Sequence, residues 1–422
     1  MTGVRLHLKA PLYRNAYFLM LGAGSGSLLG FAFWTVAARH YPPRAVGVAS
    51  AVIATMTVVS GVSQLGLGTV LFRYLPGAGR ATRSLILKSY AITMSLSVVA
   101  SVAVAISTRW WAPSVAFLGR DSRWLVAFVA ATTAWTVFTL QDSVLTALRQ
   151  AKWIPLEDTF FSATKIALLF TFAGGSSAGI FLAWNIPVLV SLVPINLLIF
   201  DRFIAQHVEN TAARVFSTPR NLVRFAGGNY LGGVFFLAST TLLPVLVAAE
   251  AGATAAAYFY IPWTIAAALQ NIPLNMATSL TVEAALDESQ LREYVRSVTV
   301  QTLRLSLPVV VLVIVGARYV LEIFGHAYAI HGETLLQLLA AASIPNVLVA
   351  LGTSVVRIQN DARMVLLIPA VVGVITLALS AALVTTVGIA GVGIAWLTAQ
   401  LVVATWIALK ILQPLFLRAA EA

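Results

Sequence analysis

Residues 44–69 read RAVGVASAVIATMTVVSGVSQLGLGT, and after Arg44 this run carries no charged side chain. About 20 such residues, at 1.5 Å of rise each, cross the ~30 Å hydrocarbon core of a bilayer as one helix. Sliding the chain by about 209 residues lays the run onto ATAAAYFYIPWTIAAALQNIPLNMAT at 253–278, with Thr69 opposite Thr278 and similar hydropathy throughout. A membrane span recurring half a chain apart is the mark of a protein built from two similar halves.

Composition agrees. Hydrophobic residues make up 59% of the chain and charged ones 10%, with a mean hydropathy of +0.89. Those values exclude a soluble globular protein. Marking apolar stretches of bilayer length gives twelve spans, near 16–38, 46–71, 86–107, 124–147, 155–173 and 179–200, then 224–248, 254–281, 298–316, 333–356, 364–386 and 389–411. The basic start, MTGVRLHLKAPLYRN, precedes an apolar stretch longer than the core of a signal peptide, so it reads as a retained first span. The expected fold is an all-α integral membrane protein of about twelve transmembrane helices in two six-helix bundles, a parallel pseudo-repeat around a central cleft. Residues 1–200 form the first bundle, 201–220 a cytoplasmic linker (DRFIAQHVENTAARVFSTPR) and 221–422 the second bundle.

The charges set an orientation. Of the 27 Lys and Arg residues, Arg39, Arg44, Arg109, Arg120, Arg123 and Arg318 fall on one face, Lys165 and Arg304 lie inside spans, and the rest share a face with the amino terminus. Positive side chains are retained on the cytoplasmic side, so both termini are expected inside a plasma (inner) membrane. The net charge of +12 is thereby a topology signal spread over short loops, and nucleic acid is not an expected partner. The absence of cysteine removes disulfides, thiolate metal sites and cysteine nucleophiles.

The stretch WTVAARHYPPRAVGVASAVIATMTVVSGVSQLGLGTVLFRYL at 34–75 places an arginine, Arg39, at the end of span one, Gly47 at the start of span two, and Gly66, Leu67, Gly68, Arg73 and Tyr74 at its close. This pattern resembles the first-to-second-span region of polysaccharide flippases in the multidrug/oligosaccharidyl-lipid/polysaccharide (MOP) superfamily. LTALRQAKWIPLEDTFFSATKIALL at 145–169 is similar to the family's hairpin between spans four and five, and LEIFGHAYAIHGETLLQLLAAA at 321–342 to its outer turn between spans nine and ten. With the span count, the resemblance covers nearly the whole chain. It implies a flippase that moves a polyprenyl-diphosphate oligosaccharide from the cytoplasmic to the outer leaflet by alternating access. It also implies membrane lipids and envelope polymerases or glycosyltransferases as neighbours. A single chain completes a two-lobed cleft, so a monomer is expected to suffice.

Lys165 is the residue that suits such a cargo. Ten residues beyond Pro155, it lies about 15 Å deep, near the midplane, where an isolated ammonium costs from ~2.5 to over 10 kcal/mol. It must therefore face the protein interior. Asp158, seven residues earlier on the same helical face, and Asp142 on span four are its expected charge partners. A structural ion pair and a docking charge for phosphate are both open, and one carboxylate releasing the lysine to phosphate would combine them. Arg304 is a further candidate for substrate binding, although it is near enough to a span end for its stem to snorkel to the cytoplasmic face. Arg39 and Arg73, also at span ends, suit lipid headgroups or substrate, and Asn271, with Gln270 and Asn275, suits helix contacts or sugar hydroxyls. Pro262 and Pro273, with Pro308, Pro345 and Pro369, bend helices by freeing backbone carbonyls, which marks the first two as a candidate hinge. Gly22, Gly26 and Gly30 recur at four-residue spacing, as close helix packing requires.

Catalysis has little support: there is no GxxxxGK[ST] phosphate loop and no Gly-x-Ser-x-Gly elbow. No cofactor is expected, and no metal, since His326 and His331 stand without a third ligand nearby. Two alternatives remain: a cation-coupled multidrug exporter of the same superfamily, which usually carries an intramembrane acid, and a non-transporting membrane assembly protein, to which the short loops offer little surface.

Overall fold

A computed structural model of the chain describes residues 29–172, 176–209, 230, 233–235, 237, 240–286, 291–359 and 361–413. Every regular element among them is helical. The chain divides into two compact units, one holding the described residues of 1–45 and 52–230, the other those of 46–51 and 231–422.

The first unit contains α1 (29–40), most of α2 (Pro43–Ser63), α3 (Leu67–Tyr74), α4 (Thr82–Trp111), α5 (Ser122–Ala147), α6 (Trp153–Thr171) and α7 (Ser177–Leu198). Local chemistry sets several of the boundaries. Pro43 starts α2, where its missing N–H is no loss. Asp121 caps α5 by accepting from the Arg123 amide at 2.8 Å. The span expected at 46–71 is in fact two helices, because Gly66 takes a left-handed φ of +70° and stops α2 before α3 begins. Residues 201–209, expected to open the cytoplasmic linker, continue α7 through a π-helical turn at Ile199–Phe203 into Ile204–Glu209; the remainder of that linker lies outside the described residues.

α4 shows how helices associate where hydrophobicity cannot drive them together. Beyond Tyr90 its buried side chains are Thr93, Ser97, Ser101, Ala105 and Thr108, one small residue per turn. Small side chains let backbones approach, and Thr136 of α5 donates to the Ser97 hydroxyl across that seam at 3.1 Å.

The second unit holds α8 (Leu243–Glu250), α9 (Ala253–Leu286), α10 (Leu291–Val315), α11 (His326–Ile358), α12 (Ala362–Val387) and α13 (Ala390–Ile407). α11 is its hub, packing on α9, α10 and α13. Trp263 meets Trp396 edge to face at 5.0 Å, and at Gly352 a β-carbon would come within 2.3 Å of Ile407 Cγ2, so only glycine fits against α13 there. Pro262 and Pro273 are buried inside α9, which runs through both without a break. Gly22 and Gly26 lie outside the described residues. Among the described residues, no atom lies within 4 Å of the place a β-carbon on Gly30 would take.

Eight described helices are long and apolar enough to cross a membrane. α6 and α9 are not among them; in α6, Glu157, Asp158 and Lys165 all lie within 19 residues. The chain is a multi-pass, all-α membrane protein.

Candidate functional site

The buried side chains of α6 are Ile154, Glu157, Phe161, Ser162, Lys165 and Leu169. Steps of three and four place them on one helical face. Lys165 is only 3% exposed. Its ammonium lies 4.2 Å from the ring centroids of both Phe161 and Trp184, and 5.4 Å from that of Phe33. The rings brace one another: Trp184 stands 5.2 Å from Phe33, 5.7 Å from Phe161 and 5.9 Å from Trp135. Helices α1, α6 and α7 thus contribute rings to an aromatic cage around one cation, each face attracting it through the ring quadrupole, and Trp135 of α5 packs behind Trp184.

Among the described residues no carboxylate forms an ion pair with the Lys165 ammonium within 4.0 Å; pairs at that distance include Arg318 with Glu322 and His326 with Glu322. The contact pair expected with Asp142 or Asp158 is therefore not formed. Both aspartates are half-buried, and Asp158 acts on Lys165 through space.

The acid that faces inward is Glu157, 4% exposed. Gln141 Nε2 donates to both of its carboxylate oxygens at 2.8 Å. Asn196 Nδ2 in turn donates to Gln141 Oε1 at 2.6 Å and to the Leu192 carbonyl at 2.9 Å. A hydrogen-bonded chain thus runs from α7 through α5 to α6, ending two turns before Lys165. Asp142, beside Gln141, and Asp158, beside Glu157, lie close enough to Glu157 to act on its charge. Three carboxyl groups and one ammonium therefore share the interior of the first unit.

The other expected site residues lie elsewhere. Arg39 is exposed at the end of α1, and Arg304 and Asn271 are exposed on α10 and α9 of the second unit. Arg73 falls on α3, its side chain outside the described part. Sequence reasoning missed Glu157, Gln141, Asn196 and the cage rings. One signal was present: Glu157, Phe161 and Lys165 recur every four residues, a ladder on one face, whereas the seven-residue spacing pointed to Asp158. Among the described residues no cluster of three or more His, Cys, Asp or Glu could hold a metal ion.

The helical fold of the two units is similar to that of solved membrane transporters. That fold is the one found in the MOP superfamily. An inward-facing multidrug resistance MATE family transporter superposes with a TM-score of 0.70 at 16% identity, over 92% of this chain and 94% of that one. The lipid II flippase MurJ in its inward closed conformation gives 0.69 at 9% identity, over 94% and 87%. A MOP superfamily transporter from Pyrococcus furiosus, described as having a binding pocket of reversed polarity that suggests a different function, gives 0.65 at 16% over 97% and 98%. No family model matches the chain, and no curated protein matches it in sequence.

Proposed function

We propose that the protein is a flippase that moves a lipid-linked oligosaccharide, carried on a polyprenyl diphosphate, across the plasma membrane by alternating access, with both termini in the cytoplasm. The observation that carries this reading is the caged ammonium of Lys165. Ring faces hold it in place of a contacting carboxylate, so an incoming phosphate has no contact ion pair to displace. An ammonium already bound to a carboxylate would have to break that pair first. The fold supports the reading in general terms, since it serves both MATE multidrug transporters and the lipid II flippase MurJ, and a pocket of altered polarity is described for one member.

The test is transfer of a labelled polyprenyl-diphosphate oligosaccharide across proteoliposome membranes by native protein and Lys165→Met at matched insertion. Flipping by the native protein and its loss in the variant support the reading; equal flipping by both removes Lys165 from substrate handling.

A second reading has its own observation. Glu157, clamped by Gln141 with Asp142 and Asp158 beside it, is the kind of buried acid that a cation-coupled multidrug exporter uses. That reading gains if the native protein exports a cationic drug, Glu157→Gln abolishes the export and the lipid-linked substrate is not moved.

A further inference from the structure

Within the first unit, α5 is open on two opposite sides. Val126 and Ala130 are exposed on one of them, which is apolar. Trp135, Thr139, Asp142 and Thr146, at steps of four, three and four, share the other and are half-buried. Nine residues, or two and a half turns, separate Val126 from Trp135 and Ala130 from Thr139, so the two sides lie about 180° apart. On the flanks between them the helix is buried, at Thr132 and Thr136 on one and at Phe138, Gln141 and Leu145 on the other. The apolar side suits lipid. A side that carries a carboxylate within a span faces protein, water or a ligand instead.

Neighbouring elements hold the polar stripe in place. The Trp135 indole stacks on Phe138 at 5.4 Å with 18° between the planes, and meets Phe161 at 5.8 Å and Trp184 at 5.9 Å. It is thus fixed without being enclosed. One turn on, Gln64 Nε2 donates to Thr139 Oγ1 at 2.6 Å, and that hydroxyl donates to the Trp135 carbonyl at 2.9 Å. Gln64 follows the last residue of α2, where Leu65 at φ +48° and Gly66 at +70° turn the chain. A left-handed leucine is a strained conformation, and here it delivers Gln64 to α5. With its Nε2 turned to Thr139, Gln64 keeps its amide oxygen as an acceptor, and Asp142 adds a carboxylate further along the same side.

We infer that this stripe binds the glycan of the cargo: a pyranose ring lies against the Trp135 indole, and hydroxyls of that sugar and the next donate to the Gln64 amide oxygen and the Asp142 carboxylate. The inference rests on the flippase reading, keeps the cargo's phosphate at Lys165 and adds where its sugars lie. The negative face of an indole attracts the C–H face of a pyranose, and acceptors in a row suit a ligand edged with hydroxyl donors. From Trp135 to Asp142 is seven residues, or about 10.5 Å, room for two pyranose rings. The rings that touch Trp135 are also those whose centroids lie 4.2 Å from the ammonium, Phe161 and Trp184. A group on Trp135 is therefore a neighbour of Lys165. That position suits a neutral sugar joined to a phosphate and disfavours a cationic drug, which the ammonium repels.

The experiment measures the affinity of the full-length protein in nanodiscs for two probes, a short-chain prenyl-diphosphate disaccharide and the same prenyl diphosphate without sugar. Native protein should bind the glycosylated probe about tenfold more tightly, the equivalent of one hydrogen bond to a charged acceptor. Trp135→Leu and Asp142→Asn should each erase most of that preference without changing the affinity for the bare diphosphate, whereas Lys165→Met should weaken both probes alike. Asp142→Asn keeps the shape of the side chain and lies away from the cage, so it carries the test if Trp135→Leu disturbs the fold. Equal native affinity for the two probes would overturn the inference and leave the phosphate at Lys165, and a preference that survives both substitutions would do the same. Binding of tetraphenylphosphonium that is lost in Trp135→Leu, with no preference for sugar, would overturn it in favour of a cationic ligand. A sugar preference in a protein that moves no prenyl-linked glycan in proteoliposomes would uphold the stripe and sink the transport reading.

Discussion

Replacing Lys165 by methionine separates the charge of this side chain from its bulk. Methionine is nearly as long, and its thioether keeps favourable contact with aromatic rings, about 0.3–1.5 kcal/mol. The lost attraction comes mainly from the two rings at 4.2 Å, about 0.5–2 kcal/mol each. Against this, the substitution removes an ammonium whose placement near the bilayer midplane costs ~2.5 kcal/mol or more. With no carboxylate in contact, removing the cation leaves no bound anion stranded; breaking a contact pair would cost about 3–5 kcal/mol instead. The terms nearly cancel, so Lys165→Met is expected to fold and insert normally, with stability within about 2 kcal/mol of native. Flipping, by contrast, is expected to fall at least tenfold, the equivalent of one charge-assisted hydrogen bond to phosphate at 1.5–3 kcal/mol. The assay pairs thermal unfolding in nanodiscs with transfer of labelled polyprenyl-diphosphate oligosaccharide in proteoliposomes. A variant that unfolds would show the ammonium to be a structural element, and one that is stable and flips at the native rate would refute the docking argument.

Other outcomes follow from the same geometry. Outward movement of a diphosphate dianion across an inside-negative potential is favoured by about 4.6 kcal/mol per 100 mV, at 2.3 kcal/mol per charge, so export should accelerate under an imposed potassium-diffusion potential; a flat response would count against a charged cargo crossing the field. Gln141→Leu strips both donors from Glu157 and should destabilise the first unit by about 1.5–3 kcal/mol. In a double-mutant cycle with Glu157→Gln the two losses should be non-additive by 0.5 kcal/mol or more; strict additivity would mean the hydrogen bonds are not formed. Gly352→Ala drives a β-carbon to 2.3 Å from Ile407 and should cost about 1–3 kcal/mol by overpacking, with Ile407→Val recovering part of it; an unchanged melting temperature would place α11 farther from α13.

The acidic side of the site shows where sequence reading reaches its limit. A seven-residue spacing puts Asp158 and Lys165 at nearly the same angle on an ideal helix, and that argument chose Asp158. Glu157, a hundred degrees away, is the more deeply buried because α5 presents Gln141 to it. Lys165 was recognisable as an interior residue because its cost in lipid is fixed by depth alone. Its aromatic surroundings were not, since Phe33, Phe161 and Trp184 come from three separate helices.

What the sequence determined by itself is the membrane class, the helical content and the approximate position of most spans. These depend on hydrocarbon thickness and on each backbone satisfying its own hydrogen bonds, both of which are local requirements. The break of the second span at Gly66, the turn of α6 that buries Glu157 and the cage around Lys165 were decided by tertiary structure. Each depends on how a helix is rotated and how closely its neighbours approach, and in a bilayer those are set by packing and interhelical hydrogen bonds, which a hydropathy pattern does not record.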